Sequence, residues 1–245
     1  MRVTERGERI PITIAGSNPE KGTITLVVQR VGKTTEDLCA LEPGEGLLDL
    51  VGPLGQPTHI ERWGHVVCVA GGVGAAVVLP IAEAARDAGN QVDTILGART
   101  QELLCLEAEL RAASERFWVT TDDGSYGEKG LVVAPLQRML DGGEKPKMVL
   151  CAGPLPMMRA VCDVTRPHEV PTVVSLNPVM VDGTGMCGGC RVSVGGVVKY
   201  ACVDGPEFDG HQVDFDELRA RLAMYREMEN VSRGRRCESR MVPVS

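Results

Sequence analysis

Aromatic side chains are scarce in this sequence. Phe, Trp and Tyr together make up 3% of 245 residues, so the cores have to be built from Val, Leu, Ile, Ala and Met. Histidine is rare as well, and none of the four stands in a constellation suited to acid–base or nucleophilic catalysis. No apolar stretch reaches the ~20 residues a membrane helix needs. The longest uncharged run, residues 66–82, is broken by Gly71, Gly72, Gly74 and Pro80 and reads as a buried strand, a turn and a helix start. With a net charge of −7, the chain also lacks any Lys/Arg block that would mark a nucleic-acid footprint. The N-terminus has no apolar export signal. Nine cysteines in such a chain are expected as reduced cytoplasmic thiols, some of them on a metal. Neither a membrane nor a nucleic acid is expected as a partner.

What is present centres on residues 172–216. Cys187 and Cys190 flank Gly188-Gly189, a spacing that aims two thiolates at one metal while the glycines let backbone amides turn toward sulfur. RVSVGGVVKYA follows, alternating around Gly195-Gly196 as a short hairpin that would return Cys202 to the first two cysteines. Asp182 completes the pattern Asp-x4-Cys-x2-Cys-x11-Cys. With cysteine in the first position this would be the plant-type spacing that holds a 2Fe–2S cluster, so Asp182 reads as an oxygen ligand in place of that cysteine. Two plainer readings stand beside it: a surface-turn aspartate next to structural cysteines, and a zinc knuckle with three sulfurs and one oxygen.

The chain is long enough for more than one core. Residues 1–62 read as a small antiparallel β-barrel, with strand-like segments at 9–13, 24–31 and 47–54 and too few strands for closure. In residues 63–168 strand and helix alternate, with strands at 66–70, 92–96, 118–121 and 148–152, as in a parallel sheet covered on both faces. Residues 169–218 carry the metal motif. Residues 219–245 read as the end of a charged helix over 215–229 and a mobile tail, in which Cys237 is a spare thiol.

Several loops carry chemistry in one reading and packing in another. Gly71, Gly72, Val73 and Gly74 lie between the first strand of the α/β unit and its helix, where backbone amides meet a pyrophosphate or where strand and helix simply pack tightly. Gly153 and Pro154 end the fourth strand, with Met157 in the following turn, so that a nicotinamide could lie over them or Met157 could pack into the core. Arg99 ends the second strand, facing a ribose or 2′-phosphate or else solvent. Residues 122–125 after the third strand suggest no firm role. Arg9 and Thr13 could hold the phosphate and ring edge of a flavin, or belong to an ordinary strand. Gly32, Lys33, Thr34 and Thr35 offer amides, hydroxyls and a cation to a pyrophosphate, or form a polar turn.

Taken together, RGERIPITIA, VGKTT, LLDLVGPLG, GGVG, the Gly-Pro-x-x-Met-Met turn and DGTGMCGGC…YACVDGPEFDGH resemble the ferredoxin-NADP-reductase-like electron-transfer subunits, a family that includes the electron-transfer subunit of dihydroorotate dehydrogenase. The resemblance runs from Glu5 to about Leu218. It implies three parts: an FAD-binding β-barrel, a Rossmann-like α/β domain for NAD(H), and a small β-hairpin iron–sulfur domain. It implies FAD at Arg9, Pro11, Ile12 and Thr13 and at Val31, Gly32, Lys33, Thr34 and Thr35. NAD would sit at the 71–74 loop and the Gly153-Pro154 turn, and a 2Fe–2S cluster on Asp182, Cys187, Cys190 and Cys202.

The family's barrel opens with strands before the arginine motif, and the barrel is expected N-terminally incomplete here. Arg9 stands one residue further from Thr13 than in the family's Arg-x-x-Ser/Thr, and Ala70 and Val77 replace Gly and Pro. The implied activity is electron transfer between NAD(H), FAD and the cluster. The implied partner is a second, flavin- and iron–sulfur-bearing beta subunit that serves ferredoxin or NADP. Aspartate at the first ligand position favours that branch over one with a dihydroorotate-oxidising partner. The reading of another class is a zinc-stabilised, non-catalytic interaction module.

Overall fold

The computed structural model describes residues 1–5, 7–225 and 231. Its first elements are short. β1 (Ile14–Asn18) and β2 (Thr23–Leu26) form an antiparallel ribbon, and α1 (Lys33–Leu38) follows. The strands expected at 9–13, 24–31 and 47–54 are corrected here. Residues 9–13 join no ladder, β2 stops at Leu26, and 47–54 contributes only the isolated bridge of Asp49 with Arg2. A two-stranded ribbon offers each strand one neighbour, so backbone groups further along have no ladder to join. The barrel is partial.

The sheet that organises the chain begins at β3 (His65–Gly71), whose residues after His65 are all buried. Its side chains alternate between two cores. Val67 and Val69 face one, Val66, Cys68 and Ala70 the other, as expected for a strand with helices on both sides. α2 (Ala75–Asp87), β4 (Gln91–Ala98), α3 (Glu107–Ala112), β5 (Arg116–Thr121) and β6 (Glu128–Lys129) come next. α4 (Val133–Asp141), β7 (Met148–Ala152), α5 (Leu155–Thr165) and β8 (Thr172–Ser175) complete the alternating part. α3 starts later than LLCLEAELRAA suggests because Leu106 adopts a left-handed conformation, φ 56°, just before it.

β9 (Arg191–Val194) and β10 (Val197–Tyr200) form the expected hairpin, turning on Gly195 and Gly196 at φ 59° and 76°, a pair of left-handed positions that suits glycine. β11 (Glu207–Asp209) and α6 (Phe215–Ala223) close the described chain. The seven-stranded order is β11-β8-β7-β3-β4-β5-β6, parallel throughout except for β11 against β8. Sequence reading found the four central strands and missed β6, β8 and β11, which are too short to show a period. Their position matters: β8 and β11 both come from residues 169–218, so the metal-motif segment hangs from the edge of the large sheet.

α6 is fastened at its start. Asp214 caps it, accepting the amides of Asp216 (3.1 Å) and Glu217 (2.9 Å), and Leu218 is buried in the first core. Arg159 of α5 reaches Asp216 at 2.7 Å. The helix expected to continue to 229, and the tail with Cys237, lie outside the described residues beyond 225, Val231 apart. Among the described residues no helix is long and apolar enough to cross a membrane.

The amino ends of β3, β4 and β5 are tied by charge. Fully buried Asp93 accepts from His65 Nε2 at 2.6 Å and from Arg116 Nε at 3.0 Å, and Arg116 also donates to Glu144 at 3.1 Å. The Arg116 guanidinium already serves both carboxylates there. This network lies at the end of the sheet opposite the cleft described next.

Candidate cofactor cleft and iron–sulfur centre

The carboxyl ends of the parallel strands open onto a cleft of about 1500 Å³. Its wall is shared by three stretches of chain. Arg9, Pro11, Ile12 and Thr13 come from the barrel portion; Gly71, Gly72, Val73, Gly74, Arg99, Gly153, Pro154 and Met157 come from strand ends; Asp182 and Cys202 come from the metal motif. Val31, Gly32, Lys33, Thr34 and Thr35 are not in this wall. They form the entry to α1, where Thr35 Oγ1 accepts the amides of Val31 (3.0 Å) and Gly32 (2.9 Å). Those hydroxyl contacts satisfy the turn locally.

The glycines of the first loop divide into two kinds. A Cβ on Gly71 would come up against the Met157 sulfur and Pro154, and one on Gly153 would lie 3.1 Å from the Gly71 Cα. A Cβ on Gly74 would run into the backbone of Ala152 and Gly153. These three glycines, with Met157 between them, let β3, α2 and the end of β7 close on one another, so the packing explanation holds for them. Gly72 differs: its φ is +53° and a Cβ there would meet nothing within 4 Å. It is the residue of the loop whose open face a ligand can approach, at the entry to the thirteen-residue helix α2. Arg99 is exposed at the end of β4, and Asp122, which sequence reasoning left without a role, joins it on the cleft wall.

Asp182, Cys187 and Cys190 lie in the loop between β8 and β9, and Cys202 follows β10. Asp182 turns its carboxylate into that loop: Oδ1 accepts the Thr184 amide at 2.9 Å and Oδ2 the Cys187 amide at 2.7 Å. These two backbone bonds, Thr184's first, hold its carboxyl below the usual range. Each oxygen keeps a lone pair for a further partner. The Cys190 and Cys202 sulfurs lie 3.2 Å apart and buried, while Cys187 is exposed and accepts the Gly189 amide at 3.4 Å. Burial first, and the neighbouring Cys190 sulfur second, push the Cys202 thiol up to about 11, so uptake of metal must release its proton.

Ligands on a single tetrahedral zinc lie ~3.8 Å from one another, twice-projected from Zn–S bonds of ~2.3 Å. Among the described residues the only three His, Cys, Asp or Glu donors within 4.8 Å of one another are His65, Asp93 and Glu144. No three of Cys187, Cys190, Cys202 and Asp182 lie that close to one another. A close Cys190–Cys202 pair, with Cys187 and Asp182 adjacent in a second pair, suits a binuclear cluster in which four ligands serve two irons. Amides directed at sulfur, from Gly189 to Cys187 and from Cys202 to Cys190 (3.5 Å), fit the same group.

Glu207 escaped the sequence reading, having no motif to mark it. It lies on the cleft wall, accepts the Thr58 hydroxyl at 2.6 Å, and is held above the usual glutamate value of 4.5 by burial, which the Thr58 bond opposes. A folded-state value above the unfolded one means that the folded protein holds this proton more tightly. Stability from this group is therefore present below about the unfolded value and is lost as pH rises through the folded one. Glu207→Gln keeps the oxygen that Thr58 bonds and removes the buried charge. It should melt higher than the parent at pH 7, with the difference closing below pH ~4.5, the ordinary carboxyl range. Thermal unfolding across that range checks it, and a lower melting point at pH 7 would contradict it.

A doubly covered parallel sheet whose glycine turn, flavin-type arginine segment and cysteine loop share one cleft defines a nicotinamide-linked iron–sulfur oxidoreductase. Comparison with known proteins makes this particular. Residues 68–163 match the model of the oxidoreductase NAD-binding domain, and residues 177–214 match the iron–sulfur cluster binding domain of dihydroorotate dehydrogenase B. The dihydroorotate dehydrogenase B (NAD(+)) electron transfer subunit homolog of Thermotoga maritima is 50% identical over 234 residues, 95% of this chain and 82% of that protein. A probable subunit of the same kind from Methanopyrus kandleri is 34% identical, over 85% of this chain and 76% of its own length. A solved structure of NADH-dependent reduced ferredoxin-NADP oxidoreductase, described for flavin-based electron bifurcation, superposes with a TM-score of 0.90 at 48% identity, covering 96% of this chain and 84% of that one. The chain belongs to the family of dihydroorotate dehydrogenase B-type electron-transfer subunits. It is an oxidoreductase subunit with an NAD-binding and an iron–sulfur domain, and its relatives are named as subunits of larger enzymes. The zinc-module reading is set aside on the family match.

Proposed function

We propose that this subunit carries electrons between NADH, FAD and a 2Fe–2S cluster and delivers them in the cytoplasm to a partner flavoprotein subunit of the ferredoxin:NADP oxidoreductase type. The observation that carries this reading is the common cleft wall, to which Arg9 and Thr13, Gly72, Gly153 and Pro154, and Asp182 and Cys202 all contribute. The bound flavin would supply the conversion between two-electron and one-electron transfer. The chain's own part is positioning. Arg9 offers a cation to the flavin's phosphates, Gly72 an unobstructed backbone to the nucleotide, and Asp182 with Cys187, Cys190 and Cys202 the four ligands of the irons.

The 48% identity and TM-score of 0.90 to the ferredoxin-NADP oxidoreductase structure support the choice of partner. The name of the Thermotoga maritima relative supports a second reading, a dihydroorotate-oxidising partner. NADH added without oxygen to the purified full chain should bleach the flavin band and then the cluster bands. A protein that holds iron and flavin but is reduced in neither would end the redox reading. Isolation from its own cells with bound subunits separates the two partners: a flavoprotein that reduces NADP, or one that turns over dihydroorotate.

A further inference from the structure

We propose that Arg191 and Arg221 are positioning residues for the iron–sulfur centre, each aiming one backbone amide of the cysteine turn inward and leaving its charge beside the cluster. The inference rests on the reading that Asp182, Cys187, Cys190 and Cys202 hold that cluster. Arg191 Nη1 donates to the Gly188 carbonyl at 2.9 Å, and Arg221 Nη2 donates to the Gly189 carbonyl at 3.1 Å. These are the two carbonyls between Cys187 and Cys190. In a trans peptide the carbonyl and the following N–H point in opposite directions. The Gly188 carbonyl shares its peptide with the Gly189 amide, which bonds the Cys187 sulfur at 3.4 Å. Pulling that carbonyl toward Arg191 therefore directs the amide at sulfur. By the same geometry Arg221, holding the Gly189 carbonyl, turns the Cys190 amide away from itself.

Arg191 and Arg221 line a small cavity of about 130 Å³ with Cys187, Gly189 and Leu218. Neither has a carboxylate within 4.0 Å among the described residues, unlike Arg116, Arg138 and Arg159. Both charges are permanent. Arg221 stands on α6, which Leu218 seats in the first core and the Arg159–Asp216 pair ties to α5, so its reach to the turn is a fixed one. Positive charge and amide hydrogen bonds at sulfur both favour the reduced, more negative cluster. Their loss acts in one direction, toward lower potential.

The full chain loaded with its cofactors is compared as wild type, R221Q, R221K and R191Q. Iron and sulfide are counted first, and the cluster is then titrated by EPR. At the wild-type midpoint the reduced-to-oxidised ratio should fall about fivefold or more in R221Q and in R191Q, the effect of one partly screened charge. R221K, which keeps the charge and a donor, should recover most of it. Arg191 lies at the surface, so R191Q decides the matter if R221Q does not retain the cluster. Variants with full iron and an unmoved midpoint, whatever their melting point, would overturn the inference and leave the iron–sulfur reading intact. A wild-type chain that takes up no iron and sulfide would instead overturn that reading and the inference with it.

Discussion

Cys202→Ala should remove the iron. The variant is expected to lose the visible absorbance of the cluster and to pass electrons to a one-electron acceptor at least about 100-fold more slowly, since even supporting residues of metal sites cost 10- to 100-fold. Cys202 pairs with Cys190 at 3.2 Å, and these two residues form a small buried cluster with Ala201, backed by Met180 and Phe208, apart from Leu176 and Val192, which belong to the first core. A cluster of three buried residues adds little burial around the cysteines themselves, so in this reading the metal contributes to the order of the loop. The same variant should therefore be cut by protease in residues 176–205 while the parallel sheet survives. NADH should still bleach the flavin, because the glycine loops belong to other strands. Cys162→Ala provides the comparison. That thiol is buried in the first core, far up in pKa at about 12 through burial, and carries no metal in this reading. It should keep its iron. Iron analysis decides: full iron in Cys202→Ala would remove this cysteine from the ligand set.

The contrast between these two cysteines illustrates what could be read in the sequence. Asp182, Cys187, Cys190 and Cys202 could be singled out because they follow a plant-type cluster spacing, and the hairpin between Cys190 and Cys202 was legible from its two adjacent glycines. The central strands were legible because burial on both faces leaves a continuous apolar run, as in residues 66–71. The barrel was read less well. The residues 9–13 and 47–54 have strand-like composition, but whether they join a ladder depends on neighbours far away in the chain. Residues 31–35 look like a phosphate turn because Thr, Lys and Gly suit both a ligand and a helix entry, and here the hydroxyl of Thr35 is spent on the turn itself. Arg221 was illegible for another reason: its partner carbonyl lies 32 residues earlier, and no periodicity signals a side chain that bonds a backbone.

The glycine loop yields the other large effect. Gly74→Val should lower stability by about 3 kcal/mol, at the upper end of overpacking costs, and melting by roughly 6–12 °C for a chain of this size. Gly74 has φ −59°, a conformation any residue adopts, so the cost is not conformational. It comes from close approach: a Cβ would lie 2.7 Å from the Ala152 carbonyl carbon and 3.0 Å from the Gly153 Cα. Both are backbone atoms at the end of β7, a strand held between β3 and β8, and in the residue just after it, so they cannot step aside as a flexible side chain would. The helix must retreat instead, carrying the amides at its start away from the cleft. Gly72→Ala separates this effect from nucleotide binding. Its φ of +53° makes alanine cost ~1 kcal/mol or slightly more, yet there is open space for the methyl group. The protein should fold, melt only about 2–4 °C lower, and show a KM for NADH raised about tenfold, because the methyl occupies the face that the nucleotide's phosphates approach. An unchanged KM in Gly72→Ala would show that the phosphates lie elsewhere. An unchanged melting point in Gly74→Val would mean that α2 does not press against β7 as closely as described. The pair thus tests, on neighbouring glycines, the two explanations that the sequence alone left open: one position kept small by the protein's own backbone, the other by what the cleft admits.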